Sequence, residues 1–454
     1  MAKYEIDMTR GSAFKKIILF SVPLMLTGLL QLFYNAADVV VVGRFAGKEA
    51  LAAVGSTHSL SHLMITLFTG LSVGTSVTVS KYFGAADKEN MHKAVHTSVA
   101  VSILSGIFLA FFGWFAARTL LTWMGSPADV IDGATLYVQI YFLGMPFNMV
   151  YNFGAAILRA VGDTRRPLFY LSIAGVVNVL LNLLFVIVFE MSVAGVALAT
   201  IISQAVSMVL VLRCLLKSSE AVRLDPKKLR IDGKILGELC KVGLPAGIQG
   251  GMFSLSNVLI QTSINSFGSD LIAGNSAALN LESFIYCAMN TFHQSAVTFA
   301  SQNRGAKQYK RIRKGMYVCM LCVTVTGVFG GNLMYLFRDA LLGLYNSDPN
   351  VIAMGAVRML YIMPLYLLCG IQDMMSGHIR GMGYSLMPTI VALLGICVFR
   401  VVWFYTVFAA FPTPDVLYAS YPVTWLITSI AYLICYAVVI RKFPKEDEPL
   451  PEAV

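Results

Sequence analysis

Residues 17–42 read IILFSVPLMLTGLLQLFYNAADVVVV, an apolar run in which Asp38 is the only charged side chain. About 20 consecutive apolar residues are enough to cross the hydrocarbon core of a bilayer as a helix. The run is too long for a signal peptide, and no small-residue cleavage site follows it. We therefore predict a transmembrane helix that stays in the membrane as the first span.

Eleven further apolar runs follow this one. Hydrophobic residues make up 57% of the chain and charged residues only 13%, so the bilayer must solvate most of its surface. The predicted spans are residues 15–42, 50–80, 94–117, 133–158, 167–189, 193–213, 242–266, 271–302, 315–337, 351–379, 388–411 and 416–440. The sequence predicts an all-α, polytopic membrane protein with 12 transmembrane helices.

The distribution of lysine and arginine predicts the orientation of these spans. With the amino terminus in the cytoplasm, the cytoplasmic segments hold 28 of the 34 Lys and Arg residues, the exterior segments hold four, and Arg358 and Arg400 fall within spans. Cytoplasmic loops of membrane proteins carry such an excess of positive charge. Both termini are therefore predicted to be cytoplasmic. The net charge of +10 follows from this topology, and we expect no nucleic-acid binding.

The second half of the chain repeats the first. At an offset of 222, Pro23 aligns with Pro245 and Asn35 with Asn257, and after a one-residue slip the offset is 221. The second offset pairs Arg159, Gly162 and Pro167 with Arg380, Gly383 and Pro388. Because six spans return the chain to the cytoplasm, the two halves have the same orientation, which is a parallel repeat typical of secondary transporters.

The repeat predicts a division of the chain into two lobes of six helices each. The predicted parts are an N-terminal lobe at 1–213, a cytoplasmic linker at 214–241, a C-terminal lobe at 242–441 and a cytoplasmic tail at 442–454. The linker is the longest predicted loop and carries many basic residues. Parallel-repeat transporters place the substrate route between their halves.

Carboxylates inside spans are costly, and they are functional candidates by default. Asp38 is the candidate in the first half, because the equivalent position in the second half is Ile260. Asn178 and Asn182 lie at i and i+4, on one face of the fifth helix. A carboxylate with amide oxygens can ligate Na⁺, and a carboxylate alone can carry a proton. The alternative is that the asparagines only join helices by hydrogen bonds.

Two acids lie in spans of the second half, and both are candidates for contact with substrate. Glu282 is interpreted as a lone buried carboxylate that attracts cations, or alternatively as one that is hydrogen-bonded to neighbouring helices. Asp373 precedes Arg380 near the cytoplasmic end of its span and could instead reach water or a basic loop. Asn35 and its repeat partner Asn257 complete the predicted substrate-contacting set, while Arg358 and Arg400 have no assigned role.

Other functional classes lack their signatures in this sequence. No Walker A loop and no nucleophile–base or metal-binding pattern occurs, so ATP hydrolysis and enzymatic activity are not expected. The eight cysteines lie mostly inside apolar runs and are interpreted as buried hydrophobic residues. A channel or receptor is less favoured than a transporter, because an internal two-fold repeat with acids on one side is unusual for a channel. No cofactor is expected.

Several segments, in this order and spacing, resemble the multidrug and toxic compound extrusion (MATE) family of transporters. They are SVPLMLTGLLQLFYNAADVVVVGRFAGKEALAAVG, ILRAVGDTRRP, AGVALATIISQ, VGLPAGIQGG, FASQNRGAKQYKRIRKG and HIRGMGYSLMP. The resemblance covers residues 14–441 and is to the bacterial NorM/DinF-like branch. It implies an antiporter that expels cationic or amphiphilic drugs in exchange for H⁺ or Na⁺, a location in the plasma membrane, and a monomer. A lipid-linked precursor flippase of the same superfamily is the alternative.

The resemblance also implies roles for individual residues. The family's cation-coupling aspartate falls on Asp38, its fifth-span polar pair on Asn178 and Asn182, and its sixth-span threonine on Thr200. Some members carry an aspartate at the position of Asn182, and NorM-like members carry an acid in the seventh span that is absent here. The predicted coupling site therefore contains a single carboxylate, with H⁺ or Na⁺ as the ion.

Overall fold

The computed structural model describes residues 4–41, 45, 47–124, 130–218 and 222–449, without the side chains of residues 39, 40, 47–56 and 58–60. In the first half the α-helices are α1 (Ala13–Val41), α2 (Gly47–Gly84), α3 (Lys88–Trp123), α4 (Ile131–Leu143), α5 (Met145–Ala160), α6 (Arg165–Leu183) and α7 (Ser192–Leu216). In the second half they are α8 (Gly233–Asn265), α9 (Ser269–Gly305), α10 (Tyr309–Leu336), α11 (Arg338–Gly343), α12 (Pro349–Ile362), α13 (Tyr366–Gly381), α14 (Leu386–Ala392), α15 (Phe399–Trp403) and α16 (Pro414–Ile440). Short π-helical segments cover Leu184–Val188, Leu393–Val398 and Phe404–Phe408, and a 3₁₀ turn covers Pro226–Lys228.

The described ranges contain no strand, and every predicted span coincides with one long helix or with a run of consecutive shorter ones. Among the described helices, eight are long and apolar enough to cross a membrane, and the pair α12–α13, bent by 51°, is a ninth candidate. The other predicted spans do not pass this test for two reasons. The span at 133–158 is broken into α4 and α5, while α8 and α9 carry many polar side chains.

The surface of the helices is apolar, as a bilayer requires. Phe115 is 77% exposed, Phe329 is 72% exposed, and many other large hydrophobic side chains are more than half exposed. A water-soluble protein does not leave so much apolar surface open. The prediction of an all-helical, polytopic membrane fold is confirmed.

The repeat is visible in backbone geometry and hydrogen bonds. Gly162 and Gly383 have φ of 87° and 90°, and each follows the last turn of its helix, where a left-handed residue ends the hydrogen-bond ladder. The Ser80 hydroxyl donates to the Ala160 carbonyl at 3.1 Å, and at the equivalent place in the second half the Ser301 hydroxyl donates to the Gly381 carbonyl at 3.1 Å. These matched features confirm the predicted internal repeat.

Contacts between residues divide the chain into two compact units. The first contains Met1–Asp7 and Leu26–Gly247, and the second contains Met8–Met25 and Ile248–Pro451. The changeovers lie within α1 and α8, shortly after Pro23 and Pro245. Proline lacks the backbone N–H that would continue the helical hydrogen bonds, and it bends the helix. The segments before and after the proline can therefore pack against different parts of the protein. The predicted lobes divide the chain by sequence, whereas the contacts assign Met8–Met25 to the unit of the second half.

The predicted linker packs within the first unit. The Asp225 N–H donates to Nε2 of His96 at 3.0 Å, and the Asp232 N–H donates to the Thr97 hydroxyl at 3.1 Å. Backbone N–H groups of Lys234 and Ile235 donate to the Asp232 carboxylate, which lowers its pKa. Asp232 thereby satisfies orphan N–H groups at the start of α8 and fixes where this helix begins.

Candidate functional site

In the first unit, α1 and α6 bring together the acid and the two asparagines that the sequence singles out. Nδ2 of Asn182 donates to Oδ1 of Asp38 at 2.5 Å and lies 3.3 Å from Oδ1 of Asn178. Asn182 is fully buried and Asn178 is 6% exposed. The helical spacing of the asparagines was readable from the sequence, whereas their contact with Asp38, 144 residues from Asn182, is a tertiary feature.

A glycine allows the close approach of α1 and α6. A Cβ atom on Gly175, one turn before Asn178, would lie 1.9 Å from the ring of Tyr34. The Tyr34 hydroxyl donates to the carbonyl of Ser172 at 3.2 Å on the same helix. The ring of Tyr34 therefore packs directly against Gly175. This contact holds α1 against α6 at the level where Asp38 meets Asn182.

The Asp38 cluster, meaning Asp38 with Asn178 and Asn182, is rich in oxygen atoms and has no cationic partner among the described residues. Oδ1 of Asn182 is buried and accepts no hydrogen bond from the described residues. A buried polar atom without a partner is costly, and a buried carboxylate needs a compensating charge. Carboxylate and amide oxygens are ligands for a hard cation such as Na⁺. The cluster can hold one cation, or Asp38 can take up a proton.

The other residues predicted for the first unit lie outside this hydrogen-bonded group. The Thr200 hydroxyl donates to the carbonyl of Val196 on its own helix at 2.9 Å. Asn35 is exposed, about one turn before Asp38 on α1. In the part of the chain that the structure describes, neither residue shares a hydrogen bond with the Asp38 cluster. Their predicted roles stay predictions.

The second unit contains a cavity of about 380 Å³, which we call the second-unit cavity. Its lining includes two acidic and two basic side chains, namely Glu282, Asp373, Arg358 and Arg400, and several aromatic rings, namely Phe253, Tyr286, Tyr366, Tyr421 and Trp425. Asn257, predicted from the repeat, also lines it. A concave site that combines aromatic and aliphatic side chains with convergent polar groups is the usual form of a small-molecule site.

Glu282 is not a lone carboxylate. Nε of Arg358 donates to its Oε1 at 2.6 Å, and Nη2 of Arg358 donates to its Oε2 at 2.8 Å, so the pair is bidentate. Arg358 also donates to Oδ1 of Asn275 at 2.9 Å, and this oxygen accepts from the Tyr418 hydroxyl at 3.2 Å. The geometry matches the alternative interpretation, a carboxylate bonded to neighbouring helices, because the adjacent guanidinium neutralises it.

Asp373 lines the second-unit cavity from α13, and its predicted contact with substrate stays a prediction. The Tyr286 hydroxyl hydrogen-bonds to its side chain. Its backbone carbonyl lies 2.7 Å from Nδ1 of His293. These contacts tie α13 to α9, so the carboxyl group is positioned by two helices that are distant in the sequence.

Arg400 is the residue whose setting sequence reasoning missed. It is 7% exposed, its guanidinium lies 4.3 Å from the ring centroid of Tyr421, and Nε has no hydrogen-bond partner in the described part of the chain. The available signal was the presence of an arginine inside a span of one half only. That no acidic side chain of the described residues pairs with it depends on tertiary packing.

The apolar helix surfaces and the buried polar clusters define a polytopic helical membrane protein with internal sites. The model of the MatE family matches residues 23–184 and 245–406, one segment in each half of the repeat. These matches cover more than half of the chain, and the protein belongs to the MatE family. The resemblance seen in the sequence is confirmed.

Individual relatives are similar over most of their length. The probable multidrug resistance protein YpnP of Bacillus subtilis (strain 168) is 28% identical over 401 residues, 87% of this chain and 88% of that protein. The multidrug export protein MepA of Staphylococcus saprophyticus is 21% identical over 387 residues, 85% of each. A crystal structure of a MATE protein in complex with MaL6 superposes with a TM-score of 0.91 at 20% identity, covering 98% of this chain and 100% of that one. The last comparison establishes the fold alone.

Proposed function

We propose that this protein is a secondary antiporter of the plasma membrane that exports cationic or amphiphilic drugs in exchange for H⁺ or Na⁺. The observation that carries the proposal is the Asp38 cluster, in which a carboxylate without a basic partner among the described residues lies 2.5 Å from a buried asparagine. The names of two relatives, a probable multidrug resistance protein and a multidrug export protein, agree with drug export.

Asp38 acts as the coupling group in this proposal. An ionised carboxylate inside a span is poorly solvated and gains free energy from any cation that reaches it. The Nδ2 of Asn182 orients the carboxylate, while the amide oxygens of Asn178 and Asn182 supply further ligands. An ion that binds one conformation of the transporter better than the other shifts the population between them, and a drug that favours the other conformation is thereby released.

Purified protein in proteoliposomes tests the proposal. Efflux of ethidium, a permanently cationic dye, is measured under a proton gradient alone and under a sodium gradient alone, and the gradient that drives efflux identifies the ion. Asp38→Asn keeps the shape of the side chain but removes its charge, so gradient-driven efflux is expected to be lost.

Asp132→Asn is the matched control. Asp132 is an exposed aspartate on α4 that pairs with Arg118, so its loss is expected to leave efflux unchanged. Protein with Asp38→Asn that is correctly inserted and still exports ethidium at the full rate under the driving gradient would exclude Asp38 as the coupling group.

A further inference from the structure

Arg400 is an unneutralised buried charge. Its side chain is 7% exposed, and no carboxylate or carbonyl of the described residues accepts a hydrogen bond from its guanidinium. An isolated charge in a low-dielectric environment costs several kcal/mol unless it is compensated. Because arginine keeps its proton in proteins, Arg400 cannot relieve this cost by becoming neutral.

The neighbouring charges do not compensate Arg400. Arg358 lies over the same ring, 5.1 Å from the Tyr421 centroid, so two guanidinium groups share one aromatic side chain. Glu282 is already engaged by Arg358 through two hydrogen bonds. The net charge of this end of the second-unit cavity is therefore positive.

Asp373 lines the same cavity, but its carboxyl group is bound by a residue other than Arg400. Its side chain is hydrogen-bonded by Tyr286, and no ion pair joins it to Arg400 within the described residues. A buried carboxyl group can become neutral by binding a proton, whereas a guanidinium remains charged. Arg400 is the group in this cavity whose charge a ligand can best satisfy.

We propose that the second-unit cavity binds the carboxylate of an aromatic compound, with Arg400 as its partner. A guanidinium presents two parallel N–H donors that match a carboxylate, and such a pair is among the strongest hydrogen-bonded contacts in proteins. The rings of Tyr366 and Trp425 also line the cavity and give it aromatic walls that suit an aromatic compound. The volume of about 380 Å³ accommodates a fused two-ring acid. The subsite adds a carboxylate-bearing class of substrate to the proposed export function and rests on that function only for the transport of the bound compound.

Three probes with the same ring system test the subsite by titration calorimetry on purified, detergent-solubilised protein. They are 2-naphthoate, its neutral methyl ester and 2-naphthylmethylammonium. We expect 2-naphthoate to bind at least about 10-fold more tightly than either of the others, because a charged hydrogen-bonded pair discriminates by that order. Equal binding of the three probes, tighter binding of the ammonium compound, or no binding of 2-naphthoate would overturn the proposal.

Variants of the cavity assign the preference to Arg400. Arg400→Gln is expected to abolish the preference for 2-naphthoate while leaving the ester within about 2-fold, and Arg338→Gln, at a position outside the cavity, is expected to preserve it. A preference that survives in folded Arg400→Gln protein would refute the assignment.

A second pair of variants applies if Arg400→Gln does not fold. Ile396 lines the same cavity about one helical turn before Arg400. Ile396→Glu supplies an internal carboxylate to Arg400 and is expected to abolish 2-naphthoate binding, whereas Ile396→Gln is expected to retain it. Equal 2-naphthoate binding by the two variants contradicts the proposal.

The binding assay also separates this subsite from the coupling mechanism. It uses no ion gradient, so 2-naphthoate binding is expected to persist in Asp38→Asn protein that has lost efflux. Failure of ethidium export with intact 2-naphthoate binding would reject the proposed antiport and keep the subsite. Intact ethidium export without 2-naphthoate binding would reject the subsite and keep the proposed antiport.

Discussion

The same helix of the repeat carries opposite chemistry in the two halves. In the first half α6 presents Asn178 and Asn182 to Asp38, which has no basic partner among the described residues. At the offset of 221, the asparagines become Phe399 and Trp403, and the neighbouring Val179 becomes Arg400. Gly162 and Gly383 share the left-handed conformation that precedes this helix. The helix itself differs, because α6 is α-helical throughout, whereas its counterpart contains a π-helical segment at Leu393–Val398 between α14 and α15.

The comparison indicates that the two halves have specialised. Asp38 has Ile260 as its equivalent, and Ile260 lies in the wall of the second-unit cavity. A buried acid without a base suits a cation, whereas a buried arginine without an acid suits an anion. Among the described residues, one half thus contains a carboxylate without a basic partner and the other contains a guanidinium without an acidic partner.

The largest expected effect is on the labelling of cysteines introduced at the two faces of the membrane, because it tests the orientation of both halves. In a background from which the eight cysteines have been removed, a cysteine replacing Asn346 is expected to react with an impermeant thiol reagent from outside, and one replacing Lys227 is expected to be protected. The measurement is labelling of intact cells, with permeabilised cells as the control for reactivity. Reversed labelling would invert the orientation assumed for both sites.

Breaking the Glu282–Arg358 pair is expected to destabilise the second unit strongly. Glu282→Gln leaves a buried guanidinium without its carboxylate, at a cost of about 3–5 kcal/mol, visible as a lower Tm in detergent. The pair of Arg338 with Asp339 at the protein surface supplies the control, since Asp339→Asn is expected to change stability by less than about 1 kcal/mol.

A double variant tests whether the loss of stability comes from the unpaired arginine. The replacements are taken from the first half, where Leu60 and Tyr137 are the counterparts of Glu282 and Arg358. Glu282→Leu combined with Arg358→Tyr removes both charges and is expected to be more stable than Glu282→Gln alone. We also expect Glu282→Gln to reduce export of cationic and neutral compounds equally. A selective loss of cation export would restore the interpretation of Glu282 as a cation-attracting group.

A smaller effect is expected at Asn182. Asn182→Leu removes the hydrogen bond to Asp38 and the buried amide oxygen, and it replaces the amide with an apolar group of similar branched shape. Nδ2 of Asn182 donates to Asp38 and stabilises its ionised form, and hydrogen bonds to charged groups contribute about 1.5–3 kcal/mol. If H⁺ is the coupling ion, loss of this donor is expected to lower the H⁺ concentration for half-maximal efflux about 10- to 100-fold. If Na⁺ is the coupling ion, loss of the amide oxygen is expected to raise the Na⁺ concentration for half-maximal efflux. An unchanged ion dependence would show that Asn182 only joins helices.

The smallest effect is expected at Gly175. An added methyl group would overlap the ring of Tyr34, so α1 and α6 must separate slightly and ethidium efflux is expected to fall several-fold. Combining Gly175→Ala with Tyr34→Leu relieves the overlap and is expected to restore part of the activity. Gly237→Ala, at a glycine with open space around it, is the control and is expected to leave efflux unchanged.

The sequence alone determined the features that depend on local pattern. Apolar runs of sufficient length predict spans whatever they pack against, and helical spacing places Asn178 and Asn182 on one face. The fixed offset between the halves supports the spans at α8 and α9, whose polar side chains weaken their hydropathy signal. Asp38 stood out because its repeat position is apolar.

The tertiary structure decided which charges are paired. Glu282 and Arg358 are 76 residues apart, and their pairing depends on how α9 and α12 are rotated against each other. A repeat pattern fixes which helix a residue occupies but not the direction in which its side chain meets a neighbour. For this reason Glu282 appeared from the sequence as a lone acid, while Arg400, which has no acidic partner in the described part of the fold, had no assigned role.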